Sequence, residues 1–505
     1  MMNDLVKCYT NKIPDIKTYL GLKIFIISLY LQPIFAKEPF DPAIIAKAKQ
    51  SVVTIAVTSS LSPYDQLHTW SGTGFIVDKK EGYILTNKHV IGTAVVGNYE
   101  LTFYNGIQAN AKVVYYDPWL DYGFLKVDPN DIPIGGVETL FSKVSPLPDE
   151  PVFIIGNNEG KSFSIHKGVV ADVYHIVGDM PQQAILLSLN TTGGSSGSPV
   201  FNSKGEAIAL NYSGNTIFAN GLHPAYIRYA LPFIKRGAIP IRKHIGVIVD
   251  SYALTDAVRY DGFPLAKQQA YHKKFPNASN RVIQVVTLLK NTPAFDLLLP
   301  GDILWAIDGK EIGPNLVDFD LAMSQIGAKN SVQLTLFRKG QWHLVTLPLY
   351  DLEAHKISKM VYFGGATFFE SDDYFSKTGG QSPKTLTFAL VEPQNIFEQV
   401  KRFTDGYTGS HSSCFRLKVL SFDGIPVANL DALVQLIPKL IEKRYFTMEY
   451  INAAPICTYN HRWVDFHIGY DPYKSNIAYH THSAEPKLYE LDLKHMKWIG
   501  KPIVK

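Results

Sequence analysis

Asn190-Thr-Thr-Gly-Gly-Ser-Ser-Gly-Ser-Pro-Val200 sets Ser196 in a glycine-rich loop just ahead of an expected hairpin. A serine hydroxyl is a weak nucleophile until a neighbouring base takes its proton. Two upstream stretches offer that base and a carboxylate to orient it. Ser71-Gly-Thr-Gly-Phe-Ile-Val77, a turn, and Tyr83-Ile-Leu-Thr-Asn-Lys-His-Val90 put His89 just beyond the end of a strand. Asp117-Pro-Trp-Leu-Asp-Tyr-Gly-Phe-Leu-Lys-Val127 puts Asp121 immediately before another. Histidine accepts and returns protons near neutral pH, and a buried carboxylate fixes the imidazole tautomer. The register Gly-x-Ser-Gly-x-Pro selects Ser196 over Ser195 and Ser198, and His, Asp, Ser is a chain order in which such triads occur. The N–H groups of Gly194 and Ser196 are the candidate oxyanion hole, in a loop that Gly193, Gly194 and Gly197 free to adopt unusual backbone angles.

Around these motifs the chain reads as β-structure. From Ser51 to about Ile239 short apolar runs such as Val52–Thr58, Ala111–Tyr116, Val152–Ile155 and Ala184–Leu189 alternate with turn signals such as Lys79-Lys-Glu-Gly82, which is the pattern of a barrel or sandwich. A short helix is expected from Pro42, with Asp41 as its cap. Two further units follow, at 241–352 and 353–455. Each carries a strand, an Asp-Gly turn, a helix (near 317–325 and 430–440) and a closing strand, a weak internal repeat. Residues 456–505 fit no module.

At 505 residues the chain has room for about three domains. A net charge of +4 and no long Lys/Arg run give no footing for nucleic-acid binding. The three cysteines, Cys8, Cys414 and Cys457, form no CxxC pair, so neither a metal site nor another cofactor is implied; Cys414 and Cys457 either pair in an oxidising compartment or remain thiols. At the N-terminus Lys7, Lys12, Lys17 and Lys23 precede the apolar run Ile24–Leu31, and Ala36 offers a cleavage site. This reads as a signal peptide over 1–36 and an exported, periplasmic or otherwise extracytoplasmic protein; the alternative is an uncleaved membrane anchor, and with it membrane proximity.

Thr86-Asn-Lys-His-Val90, Asp121-Tyr-Gly-Phe-Leu-Lys126, Gly156-Asn-Asn-Glu-Gly160 and Gly194-Ser-Ser-Gly-Ser-Pro199 resemble the HtrA/DegP family of serine proteases, most closely a divergent branch that includes long fungal members with a duplicated protease-PDZ unit. The resemblance covers roughly 45–450. It implies a mainly β fold: a chymotrypsin-like double β-barrel protease domain over 37–240, followed by two PDZ-like α+β domains. It implies a serine endopeptidase acting on unfolded or damaged proteins, with His89, Asp121 and Ser196 as triad; the alternative is a peptide-binding chaperone or adaptor with an idle protease domain. His244, Ile245, Gly246 and Val247 resemble the PDZ loop that binds a peptide carboxylate. Arg228 stands where much of the family has glycine, in a strand expected near the specificity pocket, and Arg228 and Asn211 are the pocket candidates. The resemblance also implies a homo-oligomer, a trimer or a multiple of three, assembled through the segment around Phe40.

Overall fold

The computed structural model describes residues 39–63, 69–177, 180–326, 329–373, 383–390, 396–397, 400, 417–452, 456–459, 462–465, 473–479, 485–493 and 496–504. The expected signal peptide, Cys8 and Cys414 lie outside the described residues, and Cys457 is described by its backbone alone. Residues from Pro42 onward form one unit and those up to Asp41 another; the account below concerns the former.

Helix α1 (Pro42–Lys49) leads into the first barrel, built from β1 (Val52–Leu61), β2 (Thr69–Asp78), β3 (Tyr83–Thr86), β4 (Val96–Phe103), β5 (Gln108–Tyr116) and β6 (Gly123–Lys126). Alternation along β1 explains its placement: Val53, Ile55 and Val57 are buried while Ala56, Thr58 and Ser60 are exposed, the period of a strand with one face in a core. The strands close in the order β1-β2-β3-β6-β5-β4, over a core that includes Ile76, Ile84, Leu101, Phe103 and Leu125. The second barrel comprises β7 (Pro151–Asn158), β8 (Lys161–Val177), β9 (Met180–Ser188), β10 (Pro199–Phe201), β11 (Ala207–Gly214) and β12 (Ala219–Leu222), closed as β10-β11-β12-β9-β8-β7. Closure leaves neither barrel with an open sheet edge. The chymotrypsin-like double barrel expected from the sequence is therefore present.

Two helices bear on the site. Helix α2 (Lys88–Ile91) is a single turn that follows β3 directly. Helix α3 (Pro224–Lys235) replaces the strand expected at 228–232. Its start follows from local chemistry, because His223 Nδ1 accepts from the Ala225 N–H and Pro224 occupies the first turn, where its missing N–H costs nothing. Tyr226, Ile227, Ala230 and Ile234 then form one buried face, at helical spacing. That face joins a cluster spanning both barrels, with Phe75, Leu85 and Phe124 from the first and Leu210, Tyr212 and Leu222 from the second.

The second unit starts with β13 (Lys243–His244) and β14 (Val247–Ala253), followed by helices α4 (Leu254–Tyr260) and α5 (Leu265–Lys274), which the sequence reading did not anticipate. Strands β15 (Arg281–Leu288), β16 (Ile303–Ile307) and β17 (Lys310–Glu311) precede helix α6 (Leu316–Gln325). Strands β18 (Ser331–Arg338), β19 (Gln341–Pro348) and β20 (Tyr350–Asp351) complete the unit. The sheet runs β14-β15-β16-β18-β19, with β17 on β16 and β13 paired to β20. The result is an α+β unit, which fits the PDZ-like domain expected here. It packs on the two barrels: Ile248, Leu289, Val317, Leu321 and Leu352 extend the inter-barrel cluster, and Ile176 of β8 sits in the second unit's own core with Val249, Phe319 and Met323.

The third sheet contains β21 (Lys359–Phe363), β22 (Ala366–Glu370), β23 (Leu386–Leu390), β24 (Leu417–Phe422) and β25 (Ile425–Pro426). Helix α7 (Leu430–Ile441) and β26 (Tyr445–Asn452) follow. Asn429 caps α7 by accepting from the Ala432 N–H at 2.9 Å, and Leu430, Leu433, Ile437 and Leu440 bury one stripe. Strands β27 (Ile456–Tyr459) and β28 (Arg462–Asp465) form a separate hairpin. Residues beyond 456 also supply β29 (Tyr473–Ala478), β30 (Lys487–Asp492) and β31 (Lys497–Pro502), which flank the third sheet in the order β29-β26-β24-β23-β22-β21-β30-β31.

Candidate active site

His89 is the second residue of α2, and its geometry is set by Asp121. The carboxylate accepts from the His89 backbone N–H through Oδ1 at 2.9 Å and lies 2.7 Å from imidazole Nδ1 through Oδ2. A carboxylate that only accepts places a proton on Nδ1, which leaves Nε2 with the basic lone pair. Asp121 is fully buried, while the His89 side chain is 40% exposed at the surface where a substrate would arrive. The Asn87 side chain donates to the Asp121 carbonyl at 2.9 Å, and the Asp121 N–H donates to Gln182 Oε1 at 3.1 Å, so both barrels hold this residue.

The Asp121 loop is fixed from below by Asp117. Its Oδ1 accepts from the N–H groups of Trp119 (2.9 Å) and Leu120 (2.8 Å), and its Oδ2 from the Tyr122 hydroxyl (2.8 Å). Arg242 Nε lies 2.7 Å from Oδ2, out of line with its N–H, and Nη2 donates to Oδ1 at 3.4 Å. Burial alone would push the Asp117 carboxyl up; the Arg242 guanidinium and the two backbone N–H groups hold it below its ordinary value.

Ser196 lies in the loop between β9 and β10, and that loop is fastened to β2 at Thr73. The Thr73 N–H donates to the Ser196 carbonyl (2.8 Å), and its hydroxyl donates to the Gly194 carbonyl (2.8 Å) and accepts from the Asn157 N–H (2.9 Å). The Thr73 carbonyl accepts from the Thr86 hydroxyl at 2.6 Å, three residues before His89. The nucleophile loop of one barrel is thus tied to the strand of the other that leads into α2. Within the loop the N–H groups of Ser195, Gly197 and Ser198 are taken by the carbonyls of Thr192, Asn211 and Ser195 at 3.1, 2.8 and 3.1 Å. Those of Gly194 and Ser196 have no acceptor among the described residues.

The two pocket candidates differ. Asn211, buried on β11, donates its amide to the Ser195 carbonyl (3.0 Å) and hydroxyl (3.3 Å), so it braces the nucleophile loop. Arg228 is exposed on α3 and Nη1 donates to the Ser142 carbonyl at 2.6 Å. It sits on a helix, not in the expected strand, because the capped start at His223 and the apolar stripe of α3 outweigh the local β pattern. In the loop at 244–247, the Gly246 N–H donates to His244 Nδ1 at 3.0 Å, and the buried His244 ring packs tilted against Trp119 with centroids 4.0 Å apart.

With this geometry in view, residues 72–210, which run from β2 to β11 across both barrels, match the family described as the trypsin-like peptidase domain. The chain is similar to the pro-apoptotic serine protease NMA111 of Phaeosphaeria nodorum, 27% identical over 432 residues, covering 81% of this chain and 40% of that protein. It is also similar to that of Saccharomyces cerevisiae strain S288c, 30% identical over 345 residues, covering 65% and 33%. Among solved structures the HtrA-type protease AlgW with tripeptide aligns at 20% identity and a TM-score of 0.45, covering 61% of this chain and 96% of that one. The resemblance to HtrA-type serine proteases is borne out, and the chain spans less than half the length of the curated relatives it matches.

Proposed function

We propose that the chain is a serine endopeptidase that opens peptide bonds through an acyl-enzyme formed on Ser196. His89 Nε2 takes the hydroxyl proton as Ser196 Oγ attacks the carbonyl carbon, and later returns it to the departing amine. Asp121 holds the imidazole in its Nδ1–H form and balances the imidazolium. The N–H groups of Gly194 and Ser196 receive the oxyanion, an interaction whose loss costs ~10²–10³ in rate. The observation that carries this reading is the buried Asp121 bound twice to His89, at the backbone and at the ring. An idle peptidase domain in a chaperone or adaptor has no need of that pair.

Unfolded polypeptide is the substrate class we propose. Capture of peptide ends by the second unit has weaker support, since the Gly246 N–H is spent on His244. Assembly into trimers around Phe40 and export after cleavage at Ala36 belong to the same reading; light scattering and N-terminal sequencing of the mature protein check them. Among the described residues no helix is long and apolar enough to cross a membrane.

Labelling of the full chain by a fluorophosphonate, with and without a peptide activator, is the decisive test. The wild type is labelled and digests casein, and Ser196→Ala does neither. A folded wild type that stays unlabelled under both conditions refutes the reading.

A further inference from the structure

Lys88, the residue before His89, is fully buried at the start of α2. Its ammonium lies 3.5 Å from Asp372 Oδ2, in the third unit, and 5.3 Å from the centre of the Tyr116 ring; Asp372 is the carboxylate that acts on it most strongly, and Asp117 and Asp121 of the barrels act more weakly. Both side chains of the ion pair have zero exposure. Burial pushes the Lys88 ammonium down, and the nearby Asp372 carboxylate pulls the other way. Around the pair the same segment of the third unit grips the end of β5. Lys356 sits 4.2 Å from the Tyr115 ring centre and 4.7 Å from that of Tyr116, and pairs with Glu353 at 2.6 Å, which in turn accepts from the Tyr115 hydroxyl at 3.1 Å. Asp373, next along the chain, accepts from the Tyr350 hydroxyl at 2.9 Å and lies 2.8 Å from His355 Nδ1.

Removing the nearest carboxylate from a buried ammonium is costly. With α2 only four residues long, any retreat of Lys88 carries His89 with it. We propose that Asp372 is a positioning residue of the peptidase site: through Lys88 it fixes the turn that presents His89, so that the third unit forms part of the catalytic apparatus. This rests on the serine-peptidase reading above. Asp372 touches no reacting atom, so its loss acts on the geometry of proton transfer. A 1 Å error at a catalytic group is worth ~10²-fold in rate, while substrate binding in the cleft is left alone.

The test uses the full chain and a fluorogenic peptide. Asp372→Asn lowers kcat at least tenfold with KM within twofold of wild type, and Asp372→Glu restores part of the loss. In Lys88→Met/Asp372→Asn no charge is left stranded, and kcat returns to within threefold of wild type. The rescue also covers the case in which Asp372→Asn folds poorly, because the neutral pair regains thermal stability and its rate can be compared directly. The proposal is overturned if folded Asp372→Asn acylates at the wild-type rate. It is also overturned if the double variant regains its melting temperature without its kcat, or if KM rises while kcat holds. An unlabelled wild type removes the peptidase reading and this inference with it, an outcome distinct from a labelled wild type matched by Asp372→Asn.

Discussion

Gly197 follows the proposed nucleophile, and its replacement gives a sharp test of how tightly the loop is seated. Its φ is +87°, and a Cβ there would fall 1.9 Å from the Thr73 carbonyl oxygen and 2.4 Å from Thr86 Oγ1. The first of these is backbone in the wall of the first barrel: the carbonyl accepts from the Thr86 hydroxyl, and the N–H of the same residue donates to the Ser196 carbonyl. Relief of the contact therefore requires the loop to withdraw by about 1 Å, and Ser196, the proposed nucleophile, moves with it. On the scale for misplaced catalytic groups, kcat/KM falls ~10²-fold or more. Gly160, in the turn between β7 and β8, provides the control. Its φ is +74° with nothing within 4 Å of an added Cβ, so Gly160→Ala carries left-handed strain alone, on the order of 1–2 kcal/mol. Second-order rates of fluorophosphonate acylation for the two variants, with thermal melts alongside, separate the effects. Gly197→Ala loses at least 30-fold more rate than Gly160→Ala. Equal losses in the two would refute the claim that the loop is clamped against Thr73.

Asp117 and Arg242 form a second buried pair, beneath Asp121. Arg242→Met costs ~3–5 kcal/mol by stranding a buried carboxylate, and Arg242→Met/Asp117→Asn is more stable than the sum of its single variants predicts in denaturant titration; strict additivity contradicts the pairing. Because the folded Asp117 carboxyl titrates below its unfolded value of ~3.9, its contribution is complete above that pH and is lost as pH falls through the folded value. His223 works in the pH range above. Burial, then the charge of Arg228, lowers its pKa from 6.5 to about 4. The unfolded chain binds the proton first, so stability is full above ~6.5 and declines by ~3 kcal/mol as pH drops toward 4. His223→Asn flattens that slope; an unchanged slope excludes His223 as its source.

Some of this was legible in the sequence because its signals are local. Val53, Ile55 and Val57 alternate, so β1 could be read directly. The stripe Leu430, Leu433, Ile437 and Leu440 marks α7. His89, Asp121 and Ser196 each sit in a short motif whose chain order restricts its meaning. Helix α3 was less legible, since Pro232 lies inside it and Tyr226, Tyr229 and Phe233 favour strands in isolation; the better signal was His223-Pro224 followed by the spacing of Tyr226, Ile227, Ala230 and Ile234. The supports of the site carry no local signal at all. Arg242 is 125 residues from Asp117, and Asp372 is 284 from Lys88. A lysine beside a histidine reads as a solvated charge until the fold brings a carboxylate to it.

Those two pairs change how the units relate. A boundary drawn near residue 240 follows the sequence pattern, and the barrels before it contain every proposed reacting group. Yet Arg242 neutralises the aspartate beneath Asp121, Asp372 sits opposite the lysine beside His89, and Ile248, Leu289, Val317 and Leu352 complete the cluster between the barrels. Cutting at that boundary would strand one negative and one positive charge beneath the two loops that must meet for catalysis, and expose apolar surface alongside them. Each loss alone is of the size that breaks a buried pair, ~3–5 kcal/mol, against a total stability of ~5–15 kcal/mol for a domain. The peptidase barrels are therefore separable by sequence but not by energy. A perturbation of the second or third unit reaches His89 and Asp121 through charge pairing, without any contact with substrate.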